Sequence, residues 1–259
     1  FNLCDGIGNI LKSEHKIPEM LELWKRPYTG SDGRAMQLTT NKVVTKELFI
    51  KNNIPTPKYI VYDKIPDEPP TDLIFPVIVK PAREDCSTGI YANSVVKNFR
   101  KLQTQTQKII NEFHQEALVE EYIDGKELNA TMVGCGERMM IMPVAEILFG
   151  KSYDDGTKPK IIDFEAKWLD GSVNDLETTS KYPADISEEV RSTVSGNVMK
   201  AMKLCNARDY ARADMRLRNN GVCYFLEINV NPDLYPGMGA SKAAAFSGLS
   251  YEEFMEKII

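Results

Sequence analysis

The sequence predicts an α/β protein, and three features lead to this prediction. An apolar run at residues 75–79 leads directly into Lys80-Pro81 and is predicted as a buried strand. Residues 95–113 repeat apolar side chains with a helical period, which predicts an amphipathic surface helix. Two β-prone runs flank Asn220-Gly221, the strongest short-range signal for a two-residue hairpin turn. Strands and helices are therefore expected to alternate along the chain.

The remaining elements follow in chain order. Residues 1–6 are predicted as a strand end that enters a glycine loop, and residues 18–24 as a short helix. Residues 41–53 have a helical pattern, with Thr39 or Thr40 as a possible N-cap. The polar stretches at residues 83–89 and 152–175 are predicted as functional loops. Strands are expected at residues 117–123, 128–133 and 139–148, and helices at residues 187–205 and from residue 251.

Composition restricts the class of protein. The 259 residues are enough for one large domain or two of ordinary size. A net charge of −5 disfavours nucleic acid as a partner, and no apolar run approaches the roughly 20 residues that span a membrane. The five cysteines are scattered without a Cys-x-x-Cys pair, which favours reduced thiols and a cytoplasmic location. Because only two histidines are present, the chemistry is expected to use carboxylates, lysines and arginines.

The predicted hairpin carries polar groups on one face. If Asn220-Gly221 forms the turn, the numbers of opposed residues sum to 441, which places Asp214 opposite Glu227 and Arg212 opposite Asn229. Side chains alternate between faces along a strand, so these four groups share one face. The intervening residues, predicted to face a core, are Val222, Tyr224, Leu226 and Ile228.

This polar face has two interpretations. Two carboxylates and an amide suit oxygen ligation of Mg2+, and the adjacent guanidinium suits a phosphate. The alternative is a solvated polar face with a cross-strand ion pair. Directly opposed like charges disfavour the alternative, because Asp214 and Glu227 repel each other unless a cation lies between them.

Two further segments carry candidate phosphate-binding and nucleoside-binding groups. Lys80 either presents a free ammonium to a phosphate or protects a strand end. Ser87-Thr88-Gly89 offers hydroxyls and N–H groups that could close over phosphate oxygens. Residues 118–127 are predicted as a strand that ends in an Asp-Gly turn, with a free edge that could read adenine and Glu127 to hold two ribose hydroxyls. The alternative is an ordinary hairpin with a solvated Glu127.

Taken together, these motifs resemble those of the ATP-grasp superfamily, and most closely those of the D-alanine–D-alanine ligase family. The resemblance runs from residue 1 to about residue 231, and its further motifs lie at residues 27–31, 75–84 and 164–168. It implies an ATP-grasp fold in which two α+β subdomains hold ATP between them. The expected subdomains are residues 41–123 and 124–259, preceded by a partial N-terminal α/β unit at residues 1–40.

The resemblance implies a role for each matched residue. The implied ATP ligands are Lys42 and Lys80 for the phosphates, Glu120, Glu121 and Ile123 for adenine, and Glu127 for the ribose. The implied ligands of two Mg2+ ions are Asp214, Glu227 and Asn229. The implied catalytic residues are Arg212 at the acyl phosphate and tetrahedral intermediate, Lys167 at the γ-phosphate when its loop closes, and Ser87 on a second closing loop.

The implied reaction joins a carboxylate to an amine. ATP phosphorylates the carboxylate, and the amine then attacks the acyl phosphate to give an amide, ADP and phosphate. The expected substrates are a small-molecule carboxylate and a small-molecule amine, with amino acids as the favoured class, and a homodimer is expected because relatives are often dimeric. Two alternatives stay open: a ligase with a different amine or acid, and an ATP-binding switch without ligase activity. Retention of Arg212 and Lys167 weighs against the switch.

Several positions depart from the family pattern. The family has Gly-Ser-Ser where this chain has Asp85-Cys86-Ser87, and tyrosine where it has Trp168. A thiol is a poor substitute for a hydroxyl, and an indole can only donate a hydrogen bond. Asp233 adds negative charge where an anionic substrate end is expected, and Ser241 is the candidate replacement for the serine that holds the acceptor carboxylate. These departures favour substrates other than two D-alanines.

Overall fold

The computed structural model describes residues 1–4, 7–8 and 13–259. The strand end and glycine loop predicted at residues 1–6 include Asp5 and Gly6, which lie outside the described residues. Within the described part of the chain, helices and strands alternate, and the strands form two antiparallel sheets. The predicted α/β class is therefore confirmed.

The first sheet has four strands in the order β1-β4-β2-β3. Its strands are β1 (Tyr59–Tyr62), β2 (Val77–Pro81), β3 (Val95–Val96) and β4 (Ala117–Glu121). Helix α4 (Phe99–Phe113) packs on this sheet and begins after Asn98, whose side chain accepts a hydrogen bond from Lys101 N. The predicted helix at residues 95–113 is thus shorter at its start, where two residues form a strand instead.

The second sheet has the strand order β10-β9-β5-β7-β8, and β6 pairs with β5. Its strands are β5 (Lys126–Val133), β6 (Met140–Ile141), β7 (Ala145–Phe149), β8 (Thr178–Lys181), β9 (Tyr210–Leu217) and β10 (Cys223–Asn229). Helix α7 (Glu188–Leu204) packs on its apolar face and confirms the helix predicted at residues 187–205. Its N-cap is Ser187, whose side chain accepts a hydrogen bond from Val190 N.

The other helices surround these two layers. They are α1 (Lys16–Leu23), α2 (Gly33–Thr40), α3 (Lys42–Lys51), α5 (Phe164–Trp168), α6 (Val173–Leu176), α8 (Gly239–Phe246) and α9 (Tyr251–Glu256). Asn41 caps α3 by accepting from Val44 N, so the expected caps Thr39 and Thr40 are wrong. None of the helices in residues 1–4, 7–8 and 13–259 combines the length and apolar character needed to cross a membrane.

Helix α3 belongs to the core of the second sheet, although it precedes the first sheet in the chain. Phe49 is fully buried, and its ring meets that of Phe225 edge-on, with centroids 5.7 Å apart. This contact anchors the helix whose first residue is Lys42. The subdomain boundaries at residues 40 and 123 stay a prediction.

The hairpin of β9 and β10 has the predicted register at its open end. Asp214 lies opposite Glu227, and Arg212 lies opposite Asn229. Near the turn the prediction is wrong by one residue, because Gly221 N donates to Arg218 O at 2.9 Å and closes a three-residue loop. Glycine suits this position, where φ is +83°.

A bulge corrects the register between the turn and the polar pairs. Leu226 is the extra residue, since pairing shifts between Phe225 and Glu227. Because of this shift, the buried side chains of β10 are Cys223, Phe225 and Ile228. The prediction that Val222, Tyr224 and Leu226 face the core is wrong.

Candidate active site

The polar face of the hairpin contains a bidentate ion pair. Arg212 donates from Nε and Nη2 to the two carboxylate oxygens of Asp214, at 2.6 and 2.7 Å. Burial disfavours the guanidinium charge, but Asp214 and Glu227 outweigh burial, so the pKa of Arg212 lies above its usual value. Asn229 lies beside them, and its Oδ1 accepts from Asn231 N at 2.8 Å. Alternation places the apolar residues of β9 on the opposite face, in the core.

Lys42 approaches this face from the start of α3. It is 3% exposed, and its ammonium lies 2.8 Å from Glu227 Oε2 and also donates to Glu84 O. Burial lowers the pKa of Lys42, but Glu227 and further carboxylates outweigh burial and raise the pKa overall. Burial likewise acts against ionisation of Glu227, but Lys42, Lys80 and Lys167 lower the pKa of Glu227 to about 2. Each opposed carboxylate of the hairpin therefore has its own cationic neighbour.

A second buried cluster joins two lysines through one carboxylate. Glu120 is 1% exposed, and its oxygens lie 2.9 Å from the ammonium groups of Lys46 and Lys80. The expectation that the Lys80 ammonium is free is therefore wrong. Lys46 also donates to Thr56 Oγ1 at 2.9 Å. Burial lowers the pKa of Lys46 to about 8, whereas the two lysines outweigh burial and lower the pKa of Glu120.

Strand β4 does not present the free edge that the sequence suggested. It lies between β1 and β2, so Glu120 pairs on both sides. Glu121 pairs with Val77 of β2, and its N–H donates to Lys58 O at 2.9 Å. The Glu121 side chain instead accepts from Arg218 at 2.6 Å. The segment that leaves the strand, with the buried Ile123, is the linker between the two sheets. Only glycine fits at position 125 of this linker, where a Cβ would lie 2.1 Å from Leu217 O.

Glu127 is the second residue of β5, which belongs to the second sheet, so the alternative of a hairpin between β4 and β5 is wrong. Its side chain is 12% exposed, and Oε2 accepts from Arg216 Nη1 at 2.8 Å. Burial raises the pKa of Glu127, and Arg216 opposes this rise. A solvated Glu127 is thus also wrong.

The two stretches predicted as loops, residues 83–89 and 152–175, contact each other beside the hairpin. The second prediction is wrong in part, because this stretch contains α5 and most of α6. Ser87 Oγ donates to Ile162 O at 2.9 Å, and Trp168 Nε1 donates to Cys86 O at 2.9 Å. Burial raises the pKa of the Cys86 thiol, and the nearby Lys167 opposes this rise. Lys167 lies in the last turn of α5, and its charge also helps to lower the pKa of Glu227.

The segment after β10 places its two candidate residues differently. Asp233 is exposed, and its Oδ1 accepts from Tyr235 N at 2.7 Å. Ser241 is 8% exposed, and its hydroxyl donates to Tyr235 O or Met238 O, both at 3.0 Å, and accepts from Gly237 N. Ser241 thus holds its own loop together.

Sequence reasoning missed two buried cations of the site, Lys46 and Arg216. Lys46 lies one helical turn after Lys42, a spacing that places both on one face of α3. Arg216 continues the alternation of Arg212 and Asp214 along β9. These periodicities were readable, but the partners of both residues come from distant segments.

The chain is similar to several known proteins. A family model described as the D-ala D-ala ligase C-terminus matches residues 48–259. An uncharacterized protein, y4sG, of Sinorhizobium fredii is 33% identical, over 100% of this chain and 73% of that protein. The D-alanine–D-alanine ligase of Cupriavidus pinatubonensis is 30% identical, over 93% of this chain and 69% of the ligase.

Solved structures show the same fold. The D-alanine–D-alanine ligase of Bacillus anthracis, in a complex with ATP, has a TM-score of 0.76 at 21% identity, covering 98% of this chain and 76% of the other. The VanG D-Ala:D-Ser ligase of Enterococcus faecalis has a TM-score of 0.75 at 22% identity, covering 94% of this chain and 67% of the other. The expected fold is thereby confirmed.

Proposed function

The chain belongs to the D-alanine–D-alanine ligase family, and from that premise we propose which of its residues perform each step. Like the ligases of this family, it uses ATP to form a carbon–nitrogen bond between a carboxylate and an amine, through an acyl phosphate. Such a reaction requires neutralisation of phosphate charge and exclusion of water from a hydrolysable intermediate. The residues on the polar face of the hairpin and around it meet both requirements.

The observation that carries the assignment is the convergence of cations beside two opposed carboxylates. Lys42 and Arg212 pair with Glu227 and Asp214, and Lys80 lies close enough to Glu227 to lower its pKa. We assign Lys42 and Lys80 to the ATP phosphates. Arg212 is assigned to the charge that develops on the acyl phosphate and the tetrahedral intermediate. Lys167 is assigned to the γ-phosphate.

The donor set of the hairpin fits Mg2+. Asp214, Glu227 and Asn229 present hard oxygen donors from neighbouring strands, and a pKa of about 2 keeps Glu227 ionised near neutral pH. Among the described residues there is no group of three or more His, Cys, Asp or Glu side chains arranged for a metal. The proposed third donor is the amide oxygen of Asn229. When bound, two magnesium ions would neutralise phosphate oxygens.

The nucleoside of ATP is assigned to the linker between the sheets. Adenine is assigned to the end of β4, to Ile123 and the backbone beside Glu120 and Glu121. The ribose hydroxyls are assigned to Glu127, which follows on β5. We keep residues 41–123 and 124–259 as the two proposed ATP-grasp subdomains, so this linker lies at the proposed boundary between them.

The two contacting loops are assigned to water exclusion. Ser87 and Trp168 join the loop after β2 to the segment around α5 by two hydrogen bonds to carbonyl oxygens. A covered site protects an acyl phosphate from hydrolysis until the amine attacks.

A second candidate function is ligation of a different acid or amine. The observation that favours it is the indole of Trp168, which donates to the Cys86 carbonyl rather than to a side chain. Cys86 and Trp168 therefore supply no hydroxyl at the two positions where the family has serine and tyrosine. The negative charge of the exposed Asp233 points the same way.

The test is phosphate release from Mg-ATP, with D-alanine, L-amino acids and mixed pairs as substrates and product masses read in parallel. Release that needs D-alanine and gives D-alanyl-D-alanine supports the first function, and release with another pair supports the second. Lys42→Met should abolish release, whereas Lys51→Met, at the exposed end of the same helix, should not. Tight ATP binding without release for any pair would contradict both functions and favour the ATP-binding switch. Light scattering of the same preparation measures the expected homodimer.

A further inference from the structure

Arg216 is a buried cation for which the proposed reaction has no assigned use. It lies on β9 two residues beyond Asp214, on the same face, and is 3% exposed. Its cross-strand neighbours are Glu127 on β5 and Tyr224 on β10. A guanidinium at such a position is costly unless its hydrogen bonds and its charge are satisfied.

The acceptors of Arg216 come from three separate segments. Nε donates to Ile123 O at 3.0 Å, and Nη1 donates to Glu127 Oε2 at 2.8 Å and to Lys160 O at 2.7 Å. Nη2 donates to Tyr122 Oη at 3.5 Å, and the guanidinium lies 5.5 Å from the centre of the Tyr122 ring. One side chain thus holds the linker, the start of β5 and the segment that leads to α5.

These contacts fix the groups that are assigned to the nucleoside. The bond to Ile123 O sets the orientation of a linker peptide, and the ion pair sets the rotamer of the Glu127 carboxylate. Burial alone favours a neutral Glu127, which accepts fewer hydrogen bonds from hydroxyls, and Arg216 opposes that tendency. Without Arg216 both groups would need to be ordered by the ligand itself, at a cost in affinity.

We propose that Arg216 is a positioning residue for the nucleoside half of ATP, which pre-orders the Ile123 carbonyl and the Glu127 carboxylate. This inference rests on the proposed function. Because its contacts are on the nucleoside side, Arg216 should contribute equally to the affinity for every adenine nucleotide, whatever the number of phosphates. It should leave phosphoryl transfer at saturating ATP nearly unchanged.

The test is calorimetric binding of ADP and of the non-hydrolysable analogue AMP-PNP, both with Mg2+. Arg216→Met should weaken both nucleotides by the same factor, roughly tenfold or more, because hydrogen bonds of a charged donor are lost. KM for ATP should rise in parallel, while kcat stays within about threefold. Arg216→Lys should also weaken binding, since an ammonium cannot replace the planar fork that reaches several acceptors.

Arg218→Met is the matched control. Arg218 lies two residues further along the chain and pairs with Glu121, but its side chain is 32% exposed. Its replacement should change both affinities by less than about twofold. Far-UV circular dichroism tests whether each variant is folded. If Arg216→Met does not fold, the affinities of Arg216→Lys decide whether the inference holds.

Three results would overturn the inference. Wild-type affinity for both nucleotides in a folded Arg216 variant would show that the guanidinium positions nothing. Weakening of AMP-PNP alone would assign the effect to the γ-phosphate rather than to the nucleoside. No nucleotide binding by the wild-type protein would instead overturn the proposed function, and this inference with it.

Discussion

The buried lysine of α3 makes a quantitative prediction about stability. Lys46 is fully buried between Glu120 and Thr56, and burial lowers its pKa from 10.5 to about 8. Each pKa unit corresponds to about 1.4 kcal/mol, so keeping Lys46 charged in the folded protein costs about 3 kcal/mol near neutral pH. Between pH 8 and pH 10.5 the unfolded chain binds more protons at this residue than the folded chain. The contribution of Lys46 to the free energy of unfolding therefore rises with pH across that window.

The perturbation that isolates this effect is Lys46→Met. The free energy of unfolding of the wild type minus that of the variant should increase by about 2 kcal/mol from pH 7 to pH 9.5, because most of the proton difference lies in that range. Urea unfolding followed by circular dichroism at several pH values measures it. Lys51→Met, at the exposed end of the same helix, is the control and should give a difference that changes by less than about 0.5 kcal/mol. A flat or falling difference for Lys46→Met would refute the reasoning.

Two further predictions concern turnover. Asp214→Asn should lower Mg2+-dependent turnover roughly a hundredfold or more while the circular dichroism spectrum stays native, because the amide keeps the size of the carboxylate but not its charge. Loss of the fold would instead mean that this carboxylate is structural. Trp168→Phe removes the hydrogen bond to Cys86 O, which is worth about 1 kcal/mol. Because this bond joins the two segments assigned to water exclusion, the amount of phosphate released per amide formed should rise about fivefold. Cys86→Ser retains that carbonyl, so it should leave the ratio unchanged, and an equal rise in both variants would contradict the role of the indole.

The polar pairs of the hairpin were predictable because they depend on local chemistry. Asn220-Gly221 indicated a turn, alternation assigned the faces, and Asp214 does lie opposite Glu227. The intermediate pairing was wrong, because a three-residue loop and a bulge at Leu226 each shift the register by one residue. The two shifts cancel, so the predicted pairs are correct although the predicted turn is not.

The role of Lys42 came from resemblance, and that of Lys80 also from its position after an apolar strand. The environment of both came only from the structure. Lys80 is expected to be a free phosphate ligand, yet it shares Glu120 with Lys46. No local pattern contains this information, since the three residues lie on α3, β2 and β4. They meet only when the first sheet has formed and α3, which packs in the core of the second sheet, contacts it.

The sequence by itself determined the alternation of helices and strands, the membership of the family and the polar face of β9. These depend on periodicity, turn chemistry and motif order, which act over a few residues. Only the tertiary structure decided that β4 is an interior strand, that Glu127 pairs with the buried Arg216, and that Ser241 bonds within its own loop. The physical reason is that burial and ion pairing depend on which distant segments pack together, and a buried charge is stable only where such a segment supplies its partner.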